Sequence, residues 1–443
     1  MTVLRATILI FVGASCLLSQ VYEGPAVLSR GGGGGSRPYG ERAGRRSKIR
    51  ISADLTATYD TGFTPYALDA AGNLSNPGAA VGYEMAVGAF GNKTARFGSL
   101  GLDYRGTFRH YPTNQTLAGT DHFLGMEAKK QINRRISIEG HITAGTSNRV
   151  FSFGNLLTGA NLSNFLPVNE VFDNRVFFLQ GGASLGYQFN ARSSISIGAD
   201  AFGVRRNTGQ LVGVNGYTPR LGYGYRISRR IQIGTTYQFQ HFDYPRAFGE
   251  SDVHMINGVF SFDFNKRWSM EVGGGAFRAD SAGTRTIEAD PIVRRLLGLT
   301  SVVESFSKAV TSPSIAASLR ASFRKSSASV AFSRAPSGGN GLTLLGIGET
   351  LTANYSYAAD RRTSIGFTSS MSRLGSISNE VGGKFTTLFT SASANYFLTR
   401  SIGLTGLIYY RHIDLPIKTQ IQNSYRLSFG VVWSPGEFGL PVF

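Results

Sequence analysis

The chain has 443 residues, of which 42% are hydrophobic and 16% are charged, and this composition excludes a mostly disordered protein. Lys and Arg number 45 against 27 Asp and Glu, and the net charge of +18 would suit an anionic partner such as a nucleic acid. After the N-terminus, no segment approaches the roughly 18 apolar residues that a membrane helix needs. If this chain meets a membrane, it therefore does so with strands.

Residues 1–20 are typical of a cleaved secretory signal peptide. A basic residue, Arg5, precedes an apolar run that contains Cys16, the only cysteine of the chain. Cleavage beyond Cys16 would leave a mature chain with neither disulfide nor thiol chemistry. The alternative, a lipid attached to Cys16, is disfavoured because Gly13 stands where a lipobox has Leu or a similar residue.

Residues 21–48 form a segment rich in glycine and arginine. Its composition predicts a flexible tether between the signal peptide and the first strand. The alternative is a binding site for a specific anionic ligand. Because the segment follows an export signal, no nucleic-acid partner is expected.

A short basic phrase followed by an alternating strand recurs along the chain. In "SRRIQIGTTYQFQ", residues 228–240, two arginines precede apolar and aromatic residues at every second position. The basic markers of this phrase are Arg96, Arg135, Arg192, Arg230, Arg267, Lys325, Arg362 and Arg400. Five of the gaps between them measure 37 to 39 residues, which fits two strands, one tight turn and one longer connection. Gaps of 57 and 58 residues contain the same unit with an enlarged loop.

The repeat predicts eighteen strands. Eight basic turns join sixteen of them in pairs, and an opening strand over 49–60 and a closing strand over 421–433 complete the set. Each strand has one apolar and one polar face, and aromatic residues concentrate near both strand ends, as expected where rings lie at a headgroup layer. In lipid every strand edge must be paired, so such a sheet has to close into a barrel.

With this repeat and these aromatic belts, the chain resembles bacterial outer-membrane barrels of the porin type, and most of all the larger members with about eighteen strands around an aqueous lumen. The resemblance implies an all-β fold over 49–443: a transmembrane antiparallel up-and-down β-barrel with short periplasmic turns, long extracellular loops and a short C-terminal extension. Many such barrels end in phenylalanine as an assembly signal. Phe443 is terminal here, but Pro435 and Pro441 place this segment beyond the predicted last strand.

The polar strand faces carry the candidate pore-lining residues. These are Arg50, Asp54, Asp103, Arg105, Arg109, Glu139, Arg411 and Arg426. Closure makes the first and last strands neighbours, so most of these residues share one wall. Two hypotheses stay open: a basic track that attracts anionic solutes, and a ladder of cross-strand salt bridges that satisfies buried charge.

The sequence over 286–310 predicts two short helices inside a long loop. Pro291 follows an N-cap aspartate, and Ser301 stands in capping-box spacing with a glutamate. The candidate constriction residues of this loop are Asp290, Arg294, Arg295 and Glu304. The loop is expected to fold into the barrel mouth, or else to pack over the rim or onto a partner. Residues 151–175 form a second candidate for narrowing the pore.

No enzyme is expected, and no cofactor or metal site. Ser184 lies in a G-x-S-x-G string, but this string falls inside an alternating strand, whereas a nucleophile elbow needs a strand, a turn and a helix. His110, His241 and His412 fall near the outer strand ends and are the only support for a hydrolase site at the rim. The six histidines show no paired metal-ligand spacing.

The leading hypothesis is a pore-forming outer-membrane protein that passes small hydrophilic solutes, with anions as a candidate class. The alternative is an export channel for a secreted polysaccharide that works with periplasmic export proteins, and a rim-site hydrolase ranks below both. The expected surroundings are outer-membrane lipid, lipopolysaccharide and the outer-membrane assembly machinery.

Overall fold

The computed structural model describes most of the chain from Ser47 onward. The described ranges are 47–61, 67–68, 74–75, 78–95, 97–113, 118–147, 175–207, 211–245, 249–288, 301–341, 344–360, 362–377, 384–415, 420–435 and 437–440. All helical or extended elements in these ranges are β-strands. None of these residues belongs to a helix long and apolar enough to cross a membrane. The predicted signal peptide and almost all of the predicted tether lie outside the described residues.

The strands are β1 Ser47–Asp60, β2 Ala67–Leu68, β3 Leu74–Ser75, β4 Ala80–Ala95, β5 Gly98–His110, β6 Gly119–Gln131, β7 Ile136–Ser147, β8 Val176–Gln188, β9 Ser193–Arg206, β10 Val214–Arg226, β11 Ile231–Tyr244, β12 Gly249–Asp263, β13 Trp268–Glu288, β14 Ser301–Ser322, β15 Ser326–Ser337, β16 Gly346–Ala358, β17 Thr363–Ser376, β18 Lys384–Phe397, β19 Ile402–Leu415, β20 Gln420–Trp433 and β21 Glu437–Leu440. The short β2 and β3 pair only with each other.

The long strands form one closed antiparallel barrel. From β4 to β20 each strand pairs with the next along the chain, and β1 pairs with both β4 and β20, which closes the sheet. This confirms the predicted all-β barrel of 18 strands. The first barrel strand begins, and the last one ends, on the side of the short turns. Beyond the barrel, β21 continues along the start of β1, with Glu437 opposite Arg50.

The short turns explain why the basic phrase recurs. In six of them, a side-chain oxygen accepts hydrogen bonds from the backbone N–H groups two and three residues later. The capping residues are Asn133, Asn190, Ser228, Asn265, Asp360 and Thr399. Such local bonds favour a tight turn. At Asp360, the bonds from the backbone N–H groups of Arg362 and Thr363 hold the pKa of the carboxyl below its usual value.

The two faces of the barrel wall reverse the pattern of a soluble protein. Apolar side chains point outward, as at Ile256 and Phe429, which are 59% and 63% exposed. Polar side chains such as Thr58 and Ser424 point inward and are buried. An outward apolar surface of this extent is unstable in water and is covered by lipid in transmembrane barrels.

The helix prediction over 301–310 is wrong, because these residues begin β14. The strands β13 and β14 pair up to Glu288 opposite Ser301, so the hairpin ladder satisfies the backbone groups that a helix cap would have bound. Glu304 therefore lies on β14, in register with Arg285. The other candidate constriction residues, Asp290, Arg294 and Arg295, lie outside the described residues, as do residues 151–174 of the second candidate loop.

Candidate functional site

The barrel lumen is the candidate site, and the structure brings most predicted pore-lining residues to it. Arg105 and Arg109 lie on β5, Arg411 on β19 and Arg426 on β20, and all four are buried on the inward face. Since β19, β20, β1, β4 and β5 are consecutive neighbours, these side chains belong to one wall, which also carries Asp54 and Asp103. Arg50 lies at the start of β1, at the short-turn end of the same wall. Glu139 lies apart from them on β7.

On β5 and β6 the arginines pair with carboxylates of the same wall. Arg109 Nη2 lies 2.7 Å from Asp121 Oδ2, and the two side chains are only 2% and 3% exposed. Asp121 Oδ1 also accepts a hydrogen bond of 3.0 Å from the hydroxyl of Ser147. Arg105 Nη2 lies 3.0 Å from Asp103 Oδ2, two positions away on the same strand. These charges are therefore satisfied inside the barrel.

Arg426 on β20 contacts β4 on the far side of β1, the strand that closes the barrel. Its guanidinium forms an ion pair with Glu84 on β4, across β1. The guanidinium also lies over the ring of Tyr409, 5.9 Å from the ring centroid. Sequence reasoning missed Glu84, although the alternation with the outward Tyr83 and Met85 was a signal for its inward direction.

A second charged cluster lies on the wall of β6 to β10. Asp200 Oδ2 is 2.6 Å from Arg220 Nη1, and Asp200 Oδ1 is 3.3 Å from His141 Nε2. Gly182 lies between the strands of these residues, and a Cβ there would collide with the Asp200 carboxylate. Glu139 forms an ion pair with Lys129. These contacts favour the ladder of salt bridges over the basic track, and an anion-attracting track stays a prediction.

The β15–β16 connection crosses the lumen at the long-loop end. The carbonyl oxygen of Gly341 accepts a hydrogen bond of 3.0 Å from the backbone N–H of Val212, in the β9–β10 connection. The side chain of Arg206 donates to the carbonyl oxygen of Val212, and Asn340 and Leu345 are buried. We call residues 337–341 and 344–346 the tucked tip. It narrows the lumen in the part of the chain that the structure describes.

An apolar cluster holds the tucked tip against the wall of β8 to β13. Leu345 packs into a group of inward side chains in the long-loop half of these strands. The wall residues of this group include Phe178, Phe202, Val204, Val214, Phe242, Val253, Met255 and Phe277. A Cβ added at Gly338 would lie 3.1 Å from the ring of Phe242, so the backbone itself approaches the wall closely. Phe123 on β6 belongs to the same cluster, and the guanidinium of Arg105 lies 5.9 Å from the centroid of its ring.

Two prolines account for the departure of the tip from the barrel wall. The pairing of β14 with β15 runs from Ser322 only as far as Ile315, which lies opposite Arg334. Two steps further, the same register would place Pro313 opposite Pro336, and neither residue has an N–H to donate. Beyond this point β15 pairs only with β16. The side chain of Arg334 on β15 reaches across the gap between β15 and β14, where its Nη2 donates a hydrogen bond of 3.2 Å to the hydroxyl of Ser312.

The residues considered for catalysis do not assemble into a recognisable active site. Ser184 lies inside β8, opposite Glu139 on β7. His241 Nδ1 is 2.7 Å from Asp252 Oδ1, and His412 Nδ1 is 2.7 Å from Asn423 Oδ1. Among the described residues, no group of three or more His, Cys, Asp or Glu side chains could hold a metal ion.

No protein-family model matches the chain, and no curated protein matches it. Solved structures with a similar fold include Pseudomonas aeruginosa OpdQ, with a TM-score of 0.40, 10% identity, and 89% of this chain and 98% of that chain covered. Acinetobacter baumannii OccAB3 has a TM-score of 0.39 and 10% identity, with 88% and 99% covered. The outer membrane protein OprD from Pseudomonas aeruginosa has a TM-score of 0.37 and 9% identity, with 88% and 93% covered. Similarity at this distance does not assign a function.

Proposed function

We propose that the protein is an outer-membrane pore that passes small hydrophilic solutes, anions included. The observation that carries this proposal is the closed barrel of 18 strands with apolar side chains outside and polar side chains inside. Only a closed barrel satisfies the edge groups of a sheet in lipid. The export signal expected in residues 1–20 agrees with an outer-membrane location.

The size of the barrel supports a channel. Barrels of about eight strands are filled by their own side chains, whereas barrels of about 16 to 18 strands leave an aqueous channel. The tucked tip lies on the side of β8 to β13. It leaves two walls as the remaining lining: the wall of β19, β20, β1, β4 and β5, which carries the buried arginines, and the wall of β15 to β18. A narrowed channel of this kind favours small solutes over a polymer.

We propose no catalytic role. The proposed surroundings are outer-membrane lipid and lipopolysaccharide, and the proposed route of insertion is the outer-membrane assembly machinery.

The reversal potential of the refolded mature chain in a planar bilayer under a potassium chloride gradient tests this proposal. A steady current with a reversal potential on the anion side would support a pore that admits anions. A current with strict cation selectivity would contradict passage of anions. Absence of any current from a correctly folded barrel would overturn the pore itself.

A further inference from the structure

We infer that the lumen wall of β15 to β18 binds neutral polyhydroxylated solutes, namely small sugars and sugar alcohols. This inference rests on the proposed pore and names a solute class for it. We call the wall the hydroxyl wall, because its inward positions carry serine, threonine and asparagine side chains in register.

Inward residues that lie opposite each other on β15 to β18 form a row across the wall. Ser329 on β15 lies opposite Asn354 on β16, Asn354 opposite Thr368 on β17, and Thr368 opposite Ser391 on β18. Four neighbouring strands therefore present hydrogen-bonding side chains in one continuous row across the wall. A second row, four residues further along each strand, contains Ser333, Thr350 and Ser372.

The rows face the lumen and are partly accessible. The residues beside the first row, Val330, Tyr355 and Phe367, point outward and are 47%, 44% and 42% exposed. By alternation the row itself points inward, where its four residues are half-buried. No inward position of the described β15 to β18 residues carries a charged side chain. The wall thus offers donors and acceptors without net charge, which is the complement of a polyol.

The row continues into aromatic side chains. Ser391 lies opposite Tyr409 on β19, and the ring of Tyr409 is 5.8 Å from that of Phe389 on β18. The half-buried ring of Phe389 can pack against the C–H face of a sugar while neighbouring hydroxyls bind its oxygens. The ring of Tyr409 is buried, with the Arg426 guanidinium over it. Porins that select by lining chemistry depend on such donors and acceptors.

Two further polar side chains lie on the inward faces of β18 and β19, nearer the short turns than the first row. Asn395 on β18 and Thr405 on β19 lie opposite each other and are 3% and 1% exposed. Neither Asn395 Oδ1 nor Thr405 Oγ1 has a hydrogen-bond partner in the described part of the chain. At this burial neither atom contacts a solute in the lumen, which leaves the half-buried rows as the binding surface.

Several charges of the lumen pair with one another on other walls. Arg105, Arg109 and Arg426 pair with carboxylates, and Asp200 pairs with Arg220. The hydroxyl wall adds hydrogen-bonding side chains that carry no charge. A neutral solute can use them without breaking an ion pair.

Liposome swelling with the refolded mature chain tests the inference. The probes are mannitol and triethylene glycol dimethyl ether, a neutral solute of nearly the same mass that has oxygen acceptors but no hydroxyl. We expect mannitol to enter faster. The triple variant Ser329→Ala, Thr368→Val and Ser391→Ala removes three hydroxyls, and since one hydrogen bond contributes roughly two- to tenfold, the mannitol-to-ether ratio should fall by about threefold or more.

The matched control removes hydroxyls on the lipid side of the same strands. Ser369→Ala and Thr390→Val break a side-chain pair of 3.1 Å without touching the lumen, and the ratio should not change. Equal entry of both solutes, or a triple variant with an unchanged ratio, would overturn the hydroxyl wall while leaving the pore intact. Entry of neither solute would overturn the proposed pore and this inference with it.

Discussion

The backbone N–H of Val212 donates a hydrogen bond of 3.0 Å to the carbonyl oxygen of Gly341, although the strands that flank these two residues are not neighbours in the barrel. The bond fixes the tucked tip to the opposite side of the lumen. Gly341 has a φ of +92°, and a Cβ at this position would lie 3.0 Å from Arg206 Cδ. Both the conformation and the space at residue 341 therefore require glycine.

Replacement of Gly341 by valine should release the tucked tip and raise the single-channel conductance. A left-handed conformation costs a non-glycine residue about 1–3 kcal/mol, and the clash with Arg206 adds to this cost. The measurement is the conductance of the refolded Gly341→Val variant in a planar bilayer. Gly406→Val is the matched control, because a Cβ at Gly406 meets nothing within 4 Å. An unchanged conductance of Gly341→Val would show that the tip does not restrict the channel.

Replacement of Asn265 by alanine should destabilise the barrel by about 1 kcal/mol. Asn265 Oδ1 accepts hydrogen bonds of 2.8 and 3.1 Å from the backbone N–H groups of Arg267 and Trp268. The measurement is the urea midpoint of tryptophan fluorescence in lipid vesicles. Asn265→Asp keeps the acceptor and should retain the midpoint of the parent. Equal loss in both variants would mean that the turn does not depend on this acceptor.

Replacement of Asp121 by asparagine should destabilise the barrel by roughly 3–5 kcal/mol, because it removes the carboxylate charge that pairs with the buried Arg109. The double variant Arg109→Met and Asp121→Leu should cost less than this, since both charges disappear together. Unfolding in lipid vesicles measures both values. The exposed pair of Arg278 and Asp280 provides the control, and Asp280→Asn should change stability by about 1 kcal/mol or less. A double variant that is less stable than Asp121→Asn would contradict this account.

Replacement of Ile256 by arginine should cost about 2–4 kcal/mol of stability in a bilayer, because a charge is then placed against lipid near the middle of β12. Ser261 on the same strand faces the lumen opposite Glu271, so Ser261→Arg should be tolerated. Folding into vesicles, followed by the change in gel mobility on heating, measures both variants. Equal folding of the two would contradict the assigned directions of the strand faces.

The barrel itself could be predicted from the sequence because its signals are local and repeated. Alternation, the basic turns and the gaps between them require only neighbouring residues, and they gave the number of strands and both terminal strands. The residues that cap the turns, Asn265 and its equivalents, also stand in the repeated phrase, at the third position before each strand.

The constriction could not be predicted because it depends on a contact between distant segments. The capping-box spacing at Ser301 and Glu304 is a weak local signal, and pairing with β13 overrides it. The tucked tip instead arises where Pro313 and Pro336 end one ladder. Their mutual register becomes visible only when β14 and β15 are paired.

The single-channel conductance of the refolded mature chain tests the central claim most directly. In a planar bilayer at two salt concentrations, an aqueous lumen predicts stable open steps whose size rises with salt. A barrel that shows the heat-dependent gel mobility of a folded protein but remains electrically silent at both concentrations would contradict the claim of a pore.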